Sequence, residues 1–162
     1  MLATAQITAR HIMATKLITL RPDMDAFEAI GRLLRRKVSG APVVDDEGRF
    51  VGIFSEQSAI DMLVDAAYEQ HPVATIRQFI NADVHTVGPD VDLLTIAQML
   101  LHSNQRRLPV LEEERLLGQV SRRDVLRAAH SLSDQMPQLS PATGPAPLYL
   151  SGLHEFTDAR FT

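Results

Sequence analysis

Apolar positions recur along the chain at two periods, and each period predicts a different element. Between positions 26 and 34, and again between 93 and 101, they follow the i, i+3, i+4 spacing of a helix with one face in a core. Short runs rich in β-branched residues surround Pro42 and Pro109, and a second run follows each of them across an acidic turn. This second pattern predicts two β-hairpins.

Polar residues mark where the helices should begin. Asp25 is followed three positions later by Glu28, which predicts a capping box, and Asp92 is expected to cap the second long helix. Ser55 and Ser121 stand where the second strand of each hairpin should pass into a further helix. Four helices, each beginning at a capping residue, are therefore expected.

The chain contains an internal repeat. Pairs displaced by 67 positions are Pro22 and Pro89, Thr19 and Thr86, and Pro42 and Pro109, while Gly52 and Gly118, and Ser55 and Ser121, are displaced by 66. The change from 67 to 66 implies one deleted residue in the second hairpin turn. Because there are only two copies, we expect a pseudo-twofold pair rather than an extended array.

The repeat defines the predicted domain organisation. A short β-rich stretch precedes the first helix of each copy, at 17–20 and 84–87, so each copy reads β-α-β-β-α. We predict an α/β (α+β) fold in which two such units, residues 7–70 and 74–130, form one compact module.

Residues 131–162 match neither copy. Prolines with Ser, Thr and Gly in the first part of this segment predict a linker. Apolar residues at 148–150 and Phe156 then predict a tail that packs locally, with a partner-docking peptide as the alternative.

Composition narrows the function classes. Among the 162 residues, 45% are hydrophobic, enough for a core, and no apolar run is long enough to span a bilayer, so we expect a soluble protein. The absence of cysteine fits a reducing cytoplasm, and the net charge of −4 gives no general attraction to nucleic acid. The histidines make no metal-ligand pair, and common hydrolase, NTPase and dinucleotide signatures are absent. We therefore expect no metal site and no enzyme activity.

Four segments together resemble a known family. In order, spacing and duplication, residues 38–44, 52–55, 108–110 and 118–124 resemble a tandem pair of cystathionine-β-synthase (CBS) domains over about 7–130. His11-Ile12-Met13 is similar to the Asp-Val-Met that often opens such a unit, with histidine in place of the acid. The resemblance implies two units with a cleft between them that bind an adenosine-containing ligand, form a homodimer and regulate a partner protein without catalysis.

One ligand pocket is expected to combine both units. Ser121 and Asp124, three positions apart at a helix start, suit a phosphate and a ribose diol, although the same pair could cap the helix with no ligand and stabilise it by about 1 kcal/mol. The resemblance implies that Thr19, Val38, Ser39 and Gly40 surround the base, while Arg106 and Arg107 contact phosphate.

The reciprocal pocket is expected to be weaker or empty. The resemblance implies that it combines Thr86, Gln105 and the same two arginines with Ser55 and Ser58. Ser58 occupies the position where the other copy has Asp124, and a hydroxyl lacks the charge and bidentate reach of a carboxylate. We therefore predict one AMP, ADP or ATP per chain and no required cofactor.

Two alternatives stay open at this point. The module could serve only in dimerisation or protein interaction, without a nucleotide, or it could sense S-adenosylmethionine or NAD. A homodimer is predicted because the second helix of each unit offers apolar residues that a small module cannot bury alone. These residues are Ile60, Leu63 and Val64 in the first unit and Val125, Leu126 and Ala129 in the second.

Overall fold

The computed structural model describes residues 7–70, 72 and 74–135. In chain order the elements are α1 (Ala9–Ile12), α2 (Ala26–Arg36), β1 (Gly40–Val44), β2 (Phe50–Ser55), α3 (Glu56–Glu69), a 3-10 turn (Arg77–Phe79), α4 (Leu93–His102), β3 (Arg107–Glu112), β4 (Arg115–Ser121) and α5 (Arg122–Gln135). The structure divides after Val125 into two units. Two hydrophobic cores lie in the unit that ends at Val125. The first is built by α2, β1, β2 and α3, which form the first half of the fold, and the second by α4, β3, β4 and the start of α5, which form the second half.

The predicted helix starts are confirmed. The Asp25 side chain accepts a hydrogen bond from the Glu28 N–H at 3.0 Å, and Asp92 accepts one from the Thr95 N–H at the same distance. The Glu28 carboxylate pairs with Arg32, one turn further along α2, so the structure makes only one of the two bonds of the predicted capping box. These caps fix where α2 and α4 begin.

Both predicted hairpins are present, and they share one irregularity. β1 pairs antiparallel with β2, and β3 with β4. The register shifts between Val43 and Val44 in the first hairpin and between Val110 and Leu111 in the second. These positions are equivalent under the 67-residue displacement, so the repeat extends to the backbone geometry. The mixed helix and strand content confirms the predicted fold class.

The predicted strands at 17–20 and 84–87 are wrong as full strands. Each stretch makes a single parallel bridge, Leu20 to Val43 and Val87 to Val110. The ladder stops there because the next donor on the neighbouring strand would be Pro42 or Pro109, and proline has no N–H. Each hairpin therefore has an extended segment beside it that pairs with the hairpin through a single residue, Leu20 or Val87.

The two halves exchange the segments that precede them. Ala9 in α1 is fully buried in the core of the second half, and Ala14 bridges Gln119 in β4. Ile76 is fully buried in the core of the first half, and Asn81 bridges Ile53 in β2. Each folded half is thus completed by the segment that precedes the other half in the sequence.

Two glycines permit this exchange. A Cβ on Gly52 would lie 2.5 Å from the Asn81 carbonyl oxygen, and one on Gly118 would lie 2.7 Å from the Ala14 carbonyl oxygen. Any side chain at either position would push the crossing segment away. The repeated glycines therefore serve close backbone approach.

The tips of the two hairpins meet. The Phe50 N–H donates to the Glu114 carbonyl at 2.8 Å, and Arg49 forms an isolated bridge with Arg115, its own repeat equivalent. A residue paired with its own equivalent lies next to the pseudo-twofold axis, so this contact marks where the halves join within the first unit.

The last described helix extends beyond the predicted end of the second copy. α5 ends at Gln135, five residues inside the segment predicted as linker and tail. Residues 148–150 and Phe156 lie outside the described residues. No helix in the described part of the chain is long and apolar enough to cross a membrane.

Candidate ligand-binding site

A cavity of about 400 Å³ lies where the first half meets the start of α5. Its lining residues are Ser39, Arg106, Arg107, Ser121, Arg122 and Arg123. Ser39 comes from the segment before β1, and the others come from both ends of the second hairpin and the first turn of α5. The cavity is therefore composite, with residues from both copies of the repeat in its wall.

The cavity brings together four residues that the sequence placed in one pocket. These are Ser39, Arg106, Arg107 and Ser121. Thr19, Val38, Gly40 and Asp124, placed in the same pocket from the sequence, are not among the lining residues. Arg122 and Arg123 were not assigned to the site from the sequence. Two arginines inside a Ser-x-x-Asp motif at a predicted helix start were the signal that could have found them.

The cavity wall is strongly positive. The Arg122 guanidinium donates to the Leu100 and Gln105 carbonyl oxygens at 3.3 and 3.4 Å, which holds it at the end of α4. Within the described part of the chain, no hydrogen bond or ion pair engages the side chains of Arg106, Arg107 or Arg123. Guanidinium groups without a carboxylate partner suit phosphate oxygens, which they bind through paired N–H donors.

Ser121 and Asp124 form a complete helix cap. One Asp124 carboxylate oxygen accepts from the Ser121 N–H at 2.8 Å and from the Ser121 hydroxyl at 2.6 Å. The Asp124 N–H in turn donates to the Ser121 Oγ at 3.2 Å. The capping role weighed as the alternative for this pair is therefore present in the structure, and it holds the first turn of α5 against the cavity.

The equivalent cap in the first half contains no charge. The Ser58 N–H donates to the Ser55 Oγ at 3.2 Å, and the two hydroxyl oxygens also lie 3.2 Å apart. Ser58 is buried, with 8% of its surface exposed. The start of α3 is thus closed by two short hydroxyl side chains.

Gln105 has a role that the sequence did not indicate. Its side-chain oxygen accepts from the His85 N–H at 2.6 Å, and its amide nitrogen donates to the carbonyl oxygens of His85 and Arg107 at 3.1 and 3.2 Å. The carboxamide placed in the reciprocal pocket as a ligand contact is therefore bonded to the protein backbone. No periodicity or motif marks a side chain that replaces backbone hydrogen bonds.

Metal binding has no visible basis in the described residues. Among 7–70, 72 and 74–135, no three His, Asp or Glu side chains are grouped so that they could hold an ion. The charged residues that line the cavity are arginines, which suit an anion rather than a metal ion.

Comparison with known proteins identifies the repeat. The family model for the CBS domain matches twice, at residues 9–65 and 76–131. The chain belongs to the CBS domain family. Each match falls on one copy of the repeat, and the two matched segments contain all the residues that line the composite cavity.

Relatives of this CBS pair occur in longer proteins. The uncharacterized protein MJ1225 of Methanocaldococcus jannaschii is 33% identical over 126 residues, which are 78% of this chain and 44% of that protein. The A-adding tRNA nucleotidyltransferase of Aquifex aeolicus is 29% identical over 76% of this chain but only 14% of the enzyme. The chain spans less than half the length of either relative.

Solved structures share the fold. CBSX2 of Arabidopsis thaliana in complex with AMP is 27% identical, with a TM-score of 0.69, and the match covers 78% of this chain and 98% of that one. The CBS domain pair of protein MJ0100, solved with 5'-methylthioadenosine and S-adenosyl-L-methionine, is 22% identical, with a TM-score of 0.65 over the same shares of both chains.

Proposed function

We propose that this CBS pair is a regulatory module that binds an adenosine nucleotide and holds its phosphates in the arginine-lined cavity. The observation that supports it most directly is that cavity of about 400 Å³, which has four arginines among its lining residues. CBSX2, which shares the fold at 27% identity, has been solved with AMP. In this proposal the CBS pair of the present chain senses the nucleotide on behalf of a partner protein and catalyses no reaction.

The charge of the cavity ranks the candidate ligands. Each phosphate adds negative charge near Arg106, Arg107, Arg122 and Arg123, whereas S-adenosylmethionine brings a positive sulfonium and methylthioadenosine brings no phosphate. We therefore expect affinity to rise from AMP to ADP to ATP. Both sulfur-containing adenosines should bind more weakly than AMP.

A ligand panel tests this function. Isothermal titration and thermal shifts with AMP, ADP, ATP, S-adenosylmethionine and NAD should give the largest effect with ATP. A nucleotide present at one hundred times its dissociation constant stabilises a protein by about 2.7 kcal/mol. Nucleotide recovered unchanged after long incubation separates binding from turnover. The proposal fails if no adenosine nucleotide changes the melting temperature.

A matched pair of variants locates the phosphates. Arg106→Ala removes a guanidinium from the cavity, and Arg35→Ala removes one from the exposed side of α2. Loss of a charge-assisted hydrogen bond costs about 1.5–3 kcal/mol, so ATP affinity should fall about tenfold to a hundredfold in Arg106→Ala. Arg35→Ala should bind like the wild type. Equal affinities in all three proteins would place the phosphates elsewhere.

We also propose a homodimer that uses the outer face of α3. Ile60, Leu63 and Val64 are 61%, 48% and 47% exposed, although all three are apolar. A second copy of the chain would cover this face in an isologous contact. Light scattering at micromolar concentration should give twice the chain mass for the wild type and the chain mass for Leu63→Lys. A monomeric wild type would contradict the dimer and leave the nucleotide proposal intact.

A further inference from the structure

The extended segments before α2 and α4 each pair with the neighbouring hairpin strand at only one residue, which leaves a gap in the hydrogen-bonded ladder. In the first half, the Leu20 N–H donates to the Pro42 carbonyl at 2.9 Å, and the Val44 N–H donates to the Leu20 carbonyl at 3.0 Å. The next step of this parallel ladder would place the Ile18 carbonyl opposite the N–H of residue 42. Pro42 has no N–H, so the ladder ends. In the described part of the chain, neither the N–H nor the carbonyl of Ile18 has a hydrogen-bond partner.

The second half has the same gap, and there a side chain fills it. Val87 and Leu111 repeat the ladder bonds of Leu20 and Val44, and Pro109 again supplies no donor. The residue equivalent to Ile18 is His85, whose N–H and carbonyl are both bonded to the Gln105 carboxamide. The carboxamide also donates to the Arg107 carbonyl, so it lies between the two segments that the proline keeps apart.

A carboxamide offers an acceptor beside an amino group with two donors. The Watson–Crick edge of adenine offers the same sequence, because N1 accepts and the neighbouring N6 amino group donates twice. Hypoxanthine and guanine have an acceptor at O6 and a donor at N1, which reverses the order. The bonds that Gln105 makes with His85 and Arg107 are therefore the bonds that an adenine could make in the same gap.

We propose that Gln105 fills the base site of the second half as an internal substitute for adenine and so closes the reciprocal pocket to a nucleotide, whereas the equivalent gap beside Ile18 stays open to the base of the proposed ligand. This inference rests on the proposed nucleotide function and deepens it. Val38 occupies the position equivalent to Gln105, and its side chain has no hydrogen-bonding group to fill the gap. Ile18 and Val38 are half-buried and pack against the first core, so an inserted base would have apolar neighbours.

Two consequences follow for recognition. One nucleotide binds per chain, because the reciprocal pocket lacks two features. Gln105 fills its base site in the second half, and Ser58 of the first half stands where the other pocket has the Asp124 carboxylate. Adenine is selected over hypoxanthine, because the Ile18 N–H requires an acceptor and the Ile18 carbonyl requires a donor on the base.

The experiment exchanges the two positions in the full chain. Val38→Gln should fill the open gap and weaken ATP binding at least a hundredfold by isothermal titration. Leu34→Gln, which introduces the same side chain at an exposed position of α2, should bind as the wild type does. The double variant Gln105→Val with Ser58→Asp should open the second site and raise the stoichiometry from one to two. ITP should bind the wild type at least tenfold more weakly than ATP.

The outcomes separate this inference from the proposed function. If the wild type binds ATP but Val38→Gln binds equally well and the double variant still binds one nucleotide, the inference is overturned and the function stands. If the wild type binds none and the double variant binds one, the function fails and the inference is supported. If neither protein binds, both fail. Should Val38→Gln not fold, as judged by circular dichroism, the stoichiometry of the double variant and the ATP/ITP ratio decide the question.

Discussion

The two halves of this CBS pair share a backbone and differ in the side chains at their helix starts. Both hairpins shift register at the equivalent position, and both place a serine at the end of the second strand. In the first half that serine accepts from the Ser58 N–H, and its hydroxyl lies beside the Ser58 hydroxyl. In the second half the serine N–H and hydroxyl both donate to the Asp124 carboxylate. The two halves therefore share their backbone geometry, whereas the side chains at the starts of α3 and α5 differ, and only the second of these helix caps contains a carboxylate.

The buried core side chains are larger in the first half than in the second. Phe54 is fully buried in the first half, and its equivalent in the second half is the smaller Val120. Met24 and Met62 add further volume to the first core. The first half, whose core has the larger aromatic and sulfur-containing side chains, therefore has the uncharged cap at the start of α3. The second half, whose core side chains are smaller, has the charged cap at the start of α5.

Core truncation should separate the halves most strongly. Phe54→Ala removes a whole buried ring and should lower the free energy of unfolding by about 3–5 kcal/mol. Val120→Ala removes two methyl groups and should cost about 2 kcal/mol, since each buried methyl-sized group is worth about 0.8 kcal/mol before the cavity term. Urea denaturation measures both. Equal losses would show that the two cores are energetically alike.

The second-largest difference is expected between the starts of α5 and α3, in their effect on ligand binding. Asp124→Ala should weaken adenosine-nucleotide binding by about 1.5–3 kcal/mol, a tenfold to hundredfold rise in dissociation constant, while Ser58→Ala should change it little. Calorimetry measures the affinity of each variant.

The melting temperature of each unliganded variant is the control for this comparison. Asp124 also caps α5 through Ser121, so part of any loss could come from the cap. Wild-type affinity in Asp124→Ala combined with lost binding in Ser58→Ala would move the competent site to the other half.

The crossing glycines should respond alike, because they serve the same backbone approach in both halves. Gly52→Ala and Gly118→Ala should each cost about 1–3 kcal/mol, the usual range for overpacking. Gly88→Ala is the matched control, since its nearest neighbour to a new Cβ would be a Val91 methyl at 3.9 Å. Thermal unfolding that left one crossing variant as stable as the control would break the symmetry of the exchange.

The smallest expected effect concerns the cap of α4 and its pH dependence. Burial acts to raise the pKa of Asp92, but the hydrogen bonds from the Thr95 hydroxyl and from nearby backbone N–H groups together hold that pKa below its ordinary value. The cap therefore stabilises above the unfolded pKa and loses its effect as the pH falls through the lower folded value. Asp92→Ala should cost about 1 kcal/mol at neutral pH.

The pH series supplies the check on this prediction. Urea denaturation of the wild type and Asp92→Ala from pH 7 downward should show their difference shrinking in acid, below about pH 4. A difference that stayed constant over this range would mean that the carboxylate charge contributes nothing to the cap.

Local chemistry explains what the sequence alone determined. The helices, hairpins and caps depend on contacts within a few residues, and the period of apolar positions, the prolines and residues such as Asp25 and Asp92 specify those contacts. Because the second copy repeats the pattern of the first, the elements predicted for one copy were also predicted for the other. The duplicated segments then led to the family resemblance. Ser39, Arg106, Arg107 and Ser121 were assigned to one cavity wall by this route.

Tertiary structure decided which half each opening segment completes and where Gln105 points. Gly52 and Gly118 offer equivalent surfaces for a crossing segment, so no local signal tells whether residues near Ala14 cross the first hairpin or the second. That choice depends on the sum of many weak contacts between residues far apart in the chain, such as the burial of Ala9 in the distant core. The partners of Gln105 are likewise set by a gap that exists only after a proline-containing strand has packed beside His85.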